Sequence, residues 1–207
     1  MAAALADRHP IRLTVDDDLR RNRLTVFFRL ILATPHLIWL YLWGIVALFA
    51  AIGNWFATLV GGRSPEGLHT FLARFLNYTT HASAYTFLFA DPFPGFSGAP
   101  ASYPVETVVD PPTAQSRWKT GFRLILAIPA FILTYVLQLV YQLLAFLAWF
   151  VCLALGRIPE GMENLGTYCL HYQQQTYAYI AILTDRYPTL SFPKPESRAS
   201  AESPSLL

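Results

Sequence analysis

Two long apolar runs dominate the pattern of hydrophobic and polar positions, 36–60 and 130–155, and neither contains a charged residue. At 1.5 Å per residue each covers about 38 Å of helix, enough to cross a hydrocarbon layer of about 30 Å with modest tilt. Trp39, Tyr41 and Trp43 near one end of the first run, with Trp55 near the other, fit aromatic belts at membrane interfaces. Ahead of each run lies a basic amphipathic stretch, 23–34 or 117–128, closed by Pro35 or Pro129. A proline inside a helix removes one hydrogen bond and crowds the preceding turn. Short interfacial helices bent away from the spans at the two prolines are therefore predicted. Further upstream Ile11, Leu13 and Val15 alternate with polar residues as in a strand, and Val105, Thr107 and Val109 do so less cleanly. The two stretches are expected to pair into a small ribbon. After each apolar run a glycine-bounded turn leads into a second, less apolar helix, 66–90 or 160–184.

The order is the same twice because the chain is a duplication. Shifted by 94 residues, positions 9–97 align without gaps on 103–191, and about 30 of the 89 pairs are identical. The division is a tail at 1–8, a first repeat at 9–97, a linker at 98–102, a second repeat at 103–191, and a Pro/Ser-rich tail at 192–207 expected to be disordered. The fold class expected is an all-α membrane protein of two tandem helical hairpins, with four transmembrane helices and a parallel pseudo-twofold axis along the membrane normal. The second helix of each hairpin could instead lie in the interface. That would invert the copies and place their matching polar flanks in opposite compartments, so crossing is preferred. Arg20, Arg21, Arg23, Arg117, Lys119, Arg186 and Lys194 fall on the side of the termini in this scheme, against Arg63 and Arg157 at the turns. The positive-inside rule then puts both termini in the cytoplasm. Residues 1–22 mix arginine with aspartate and hold no apolar core, so the first apolar run is expected to serve as an uncleaved signal-anchor.

Composition agrees. Hydrophobic residues make up 54% of the chain and charged residues 14%, against about 25% charged in a soluble domain. A net charge of +2 is too small to imply nucleic acid. Cys152 and Cys169 lie in apolar surroundings, as small hydrophobes do.

Candidate chemistry is sparse. The second helices carry polar stripes with steps of four, three and four: Thr70, Arg74, Asn77 and His81 in one copy, Asn164, Tyr168, His171 and Gln175 in the other. Such stripes either line a solute path or hydrogen-bond between packed helices. Arg29 and Arg123 interrupt the apolar sequence Phe-Arg-Leu-Ile-Leu-Ala. They either snorkel to the headgroups or, with Arg23 and Arg117, grip an anionic headgroup or a partner's carboxylate. The turns Gly62, Arg63, Pro65, Glu66, Gly67 and Gly156, Arg157, Pro159, Glu160, Gly161 read as structural, held by glycines and a charge pair. His36 and His81 could approach across a hairpin, but their counterparts are Ala130 and Gln175 and no metal-ligand spacing recurs. No catalytic, cofactor-binding or metal residue is assigned.

At Phe-Arg-Leu-Ile-Leu-Ala-x-Pro, Gly-Arg-x-Pro-Glu-Gly and Asp-x-x-Pro-x-x-Ser the chain resembles a bacterial family of uncharacterised membrane proteins, a domain of unknown function. The resemblance spans both copies, about residues 9–192. Glu163-Asn164-Leu165 keeps a Glu-Asn-Leu segment of that family, from which His69-Thr70-Phe71 departs. One-unit members imply that two units pair. The resemblance implies a bacterial inner-membrane setting and no catalytic residues. The expected function is a non-enzymatic accessory or scaffold protein, with lipids and other membrane subunits as partners. The alternative is a small transporter or channel lined by the polar stripes.

Overall fold

The structure, a computed structural model, describes residues 9–191; the tails at 1–8 and 192–207, with the disorder expected of the second, lie outside the described residues. The elements are β1 (Ile11–Val15), α1 (Arg23–Phe27), α2 (Arg29–Gly61), α3 (Glu66–Thr86), β2 (Val105–Val109), α4 (Arg117–Gly121), α5 (Arg123–Leu155) and α6 (Glu160–Ile180). The chain is mostly helical and built twice over.

The boundaries follow from local chemistry. Asn22 caps α1 by accepting the Leu24 amide at 3.0 Å. Both long helices end on a left-handed glycine, Gly62 at φ 72° and Gly156 at φ 69°. The amides of these glycines close on the carbonyls of Thr58 and Cys152. Pro65 and Pro159 then lead directly into α3 and α6, with Glu66 and Glu160 in the first turn, where the helix dipole favours negative charge.

The predicted bend is misplaced. The short helices stop at residues 27 and 121, not at the prolines, and the break falls on Phe28 and Phe122. Pro35 and Pro129 sit inside α2 and α5 with their rings exposed. A single lost hydrogen bond is tolerated there, whereas the break at 28 and 122 lets the next residue, Arg29 or Arg123, turn inward.

The two copies do not run in parallel, which corrects the sequence-based topology. The Trp55 indole donates to the Thr120 carbonyl at 2.8 Å, and the Trp149 indole to the Val26 carbonyl at 3.1 Å. The turn after α2 meets the segment before α4 through Gln115 N–H to Gly62 C=O. The turn after α5 meets the segment before α1 through Arg21 N–H to Gly156 C=O. The start of each long helix therefore lies at the end of the other, and α2 and α5 are antiparallel. A pseudo-twofold axis crosses them at right angles.

Three layers result. The α3–α6 pair is the middle one. On one side α2 packs on α3 and α5 on α6, with α1 bridging to α5 and α4 to α2; on the other side β2 packs on α3 and β1 on α6. The strands pair antiparallel about Leu13↔Thr107, so the predicted ribbon is present. One core cluster gathers Val26, Ala33, Tyr85, Phe89, Tyr141 and Leu170 from both copies. The other joins Ile11, Ala47, Leu72, Leu76, Ala178 and Leu183.

Candidate functional site

The outer layer is apolar and uncovered. On α2 the inward positions are Arg29, Ala33, His36, Ala47, Asn54 and Thr58, a single stripe spaced by threes and fours or their sums. The remaining circumference exposes Leu30, Ile31, Leu37, Ile45, Phe49 and Val60 among others, and α5 exposes Leu124, Ile132, Leu139, Leu143 and Phe150 in the same way. Only 11% of the most apolar stretch of α2 and 22% of that of α5 is buried. Among the described residues these are the two helices long and apolar enough to cross a membrane. α3 and α6, expected to be the other two spans, are not: their polar residues turn toward the ribbon.

Arg29 and Arg123, expected at the membrane surface, are each 1% exposed. Arg29 donates to the Asp91 carboxylate at 2.9 Å and lies 4.1 Å from the centre of the Tyr85 ring. Arg123 reaches Asp185 at 3.2 Å, Gln115 Oε1 at 2.8 Å and the carbonyls of Tyr179 and Thr184, and lies 4.5 Å from the Tyr179 ring centre. Each arginine ties the start of its long helix to the loop after the second helix of the same copy. Sequence reasoning missed the partners, although Arg29, Tyr85 and Asp91 all recur at the same spacing as Arg123, Tyr179 and Asp185. Arg23 does lie at the surface, donating to the Ala154 carbonyl at 2.9 Å at the end of α5. Arg117 lies over Gly62 at the end of α2. Both place positive charge at a helix C-terminus, where the dipole favours it.

Turn bracing comes from backbone more than from charge. Arg63 pairs as an isolated bridge with Ala114, and Arg157 with Arg20. The Arg63–Glu66 contact is 3.9 Å long between exposed side chains, and among the described residues no ion pair joins Arg157 to Glu160. This also overturns the charge asymmetry read from the sequence. Arg157 shares an end of the helices with Arg20 and Arg23, and Arg63 shares the other with Arg117 and Lys119.

The polar stripes are brought under the ribbon. Asn77 Oδ1 accepts the Thr107 amide at 2.9 Å, and the Thr80 and Thr107 hydroxyls lie 2.6 Å apart. His81 packs beside Tyr103 and Glu106, whose carboxylate takes the amides of Ala101, Ser102 and Tyr103. His171 Nε2 lies 3.3 Å from the Ile11 carbonyl, and Gln175 Oε1 accepts the Thr189 amide at 2.9 Å. Tyr168 donates to the Leu190 carbonyl, while Thr70, Arg74 and Asn164 are exposed. In the first copy Thr70, Arg74 and Asn77 line a surface cavity of about 480 Å³ together with Arg63, Glu66 and His69. Burial holds the His69 and His171 rings below the usual histidine range.

Glu163 replaces His69 at the corresponding position. It is buried beside Asp17, and burial first, then the charge of Asp17, pushes its carboxyl up to about 7; Arg21 opposes this and Glu160 adds to it. The folded state keeps a proton that an unfolded glutamate loses near 4.5. The stability so gained is complete below that pH and disappears as the pH rises to about 7. The buried histidines contribute with the opposite sign, so the measurement is a difference between variants. Relative to the parent, Glu163→Gln is expected to gain a few °C in Tm between about pH 5 and pH 8 in detergent micelles. A constant difference would show that Glu163 titrates normally.

A family model described as a domain of unknown function (DUF4389) matches residues 23–97 and again 117–191, most of the chain. The chain belongs to the DUF4389 family. No curated protein and no solved structure is detectably similar to it. The two DUF4389 segments begin at Arg23 and Arg117 and end at Ser97 and Ser191, the same 94-residue offset as the repeat. Each DUF4389 unit thus contains one Arg–Tyr–Asp cradle and one glycine turn. β1 and β2, which join the units, lie outside it.

Proposed function

We propose that the protein is a non-enzymatic accessory or scaffold protein of a bacterial inner membrane, holding lipids or other membrane subunits. The observation that carries this reading is the uncovered apolar layer of α2 and α5. An apolar helix of a soluble protein is buried in its core; these two expose most of their apolar length. Exposed apolar patches of this extent mark a membrane or a partner. The bacterial setting rests on the family resemblance.

The polar stripes support a scaffold over a transporter. His171 and Gln175 are engaged with the backbone of β1 and of the segment at 189, and Asn77 with β2. The cavity beside Thr70 and Arg74 has ribbon and loop as its far wall and no counterpart along α6 is needed to form it. The test begins with membranes of expressing cells washed in alkaline carbonate and urea. The protein is expected to stay in the pellet and to leave only with detergent; release by the wash would overturn membrane residence. Purified gently from those membranes, it should carry a stoichiometric protein or lipid. A partner-free protein that moves solute across sealed vesicles would replace the scaffold with the transporter.

A further inference from the structure

We infer that α2 and α5 lie flat within a single leaflet, so that neither crosses the membrane. The inference rests on the membrane residence proposed above and adds the geometry of insertion. Three observations meet here.

The first is length. Each helix has 33 residues, and past its buried first arginine it carries no charge. At 1.5 Å per residue that is about 50 Å, far beyond a hydrocarbon core of about 30 Å, whereas a helix in the plane has no length to match. The second is charge. A spanning helix normally has a cytoplasmic end marked by excess Lys and Arg. Here the pseudo-twofold gives both ends the same pair, Arg23 with Arg157 at one and Arg117 with Arg63 at the other, and Arg20 and Lys119 add one further cation to each end. Neither end is the more basic, so neither is marked as the cytoplasmic end of a span.

The third is what would lie at mid-depth. The ribbon touches α3 at Asn77 and Thr80 and α6 at His171, near the middle of both helices. Because α2 and α5 run alongside, spanning would carry the ribbon to the bilayer centre. Its two edges, unpaired among the described residues, and the Arg12–Asp110 ion pair, 3.0 Å long and partly exposed, would then face lipid. Irregular backbone and sheet edges do not occur facing hydrocarbon, and a charge there is costly. With the outer layer lying in one leaflet, the ribbon instead points to water and the pseudo-twofold stands along the membrane normal.

The experiment uses the full chain with Cys152→Ala and Cys169→Ala and one new cysteine at a time, in right-side-out and inside-out membrane vesicles of expressing cells. Leu24→Cys, on α1 just ahead of α2, and Arg63→Cys, just past its end, mark the two ends of that helix. Both should react with an impermeant maleimide in the same vesicle orientation and be protected in the other. Ile31→Cys, Val46→Cys and Val60→Cys, labelled with a nitroxide and reconstituted with phosphatidylethanolamine and phosphatidylglycerol, should report one shared shallow depth. Labelling of residues 24 and 63 from opposite sides would establish spanning and overturn the inference. So would residue 46 lying deeper than both 31 and 60, which would mean a re-entrant or crossing helix. Loss of the protein from washed membranes would instead sink the membrane reading itself, a distinct result.

Discussion

Asp91→Ala is expected to cost about 3 kcal/mol of stability, because it leaves the buried Arg29 guanidinium without its carboxylate. Removing one partner of a buried ion pair is far worse than never having had the pair, since the remaining charge stays desolvated. The matching Asp185→Ala should cost less. Arg123 keeps Gln115 Oε1 and the Tyr179 and Thr184 carbonyls, whereas the other acceptor of Arg29 is the Asp91 carbonyl itself. Denaturation in detergent micelles measures both. Adding Arg29→Met to Asp91→Ala should recover part of the loss, because an apolar side chain needs no partner. If Asp91→Ala melts with the parent, the cradle is not what ties α2 to the loop after α3.

A second large effect is expected at Gly166. The Phe89 ring from the first copy lies so close to this glycine that an added Cβ would stand 2.0 Å from its Cε1. Gly166→Leu must expel the ring from the shared core, at a cost of about 3 kcal/mol. The pseudo-twofold supplies the remedy. The positions corresponding to Phe89 and Gly166 are Leu183 and Leu72, which share the other core cluster. One interface therefore spends its volume on one side and its mate divides it. Phe89→Leu combined with Gly166→Leu should regain most of what Gly166→Leu loses, a coupling of more than about 1 kcal/mol in a double-mutant cycle. Additive losses would mean the two sites do not share a space.

These two cases show which parts of the fold can be read from residues. Duplication, the glycine turns, the strands at 11–15 and 105–109 and the apolar lengths are local or periodic, and each is found close to where the pattern puts it. How the copies face each other is not local. The topology read from the sequence puts Arg20 and Arg157 on opposite sides, and only the folded chain shows that they meet. The choice between four spans and inverted copies also omitted an arrangement in which matching flanks share one environment and nothing crosses. Arg29 reads as a surface cation because its acid stands 62 residues away. The stripes were periodic enough to find, but nothing along α3 or α6 says that the covering layer is a strand of the same chain.

The shared ribbon has a consequence for how the chain is made. β1 leaves the ribosome early and finds its partner only when residues 105–109 follow, some 90 residues later. At roughly 5–20 residues per second, that is a wait of about 5 to 20 s with an open strand edge exposed. The turn at Gly156 that docks on Arg21 comes later still. Neither half can finish alone during synthesis, so a ribosome stalled after residue 97 would hold a whole family unit with its first strand still unpaired. Such a nascent chain should be a target for whatever factor guards unpaired edges.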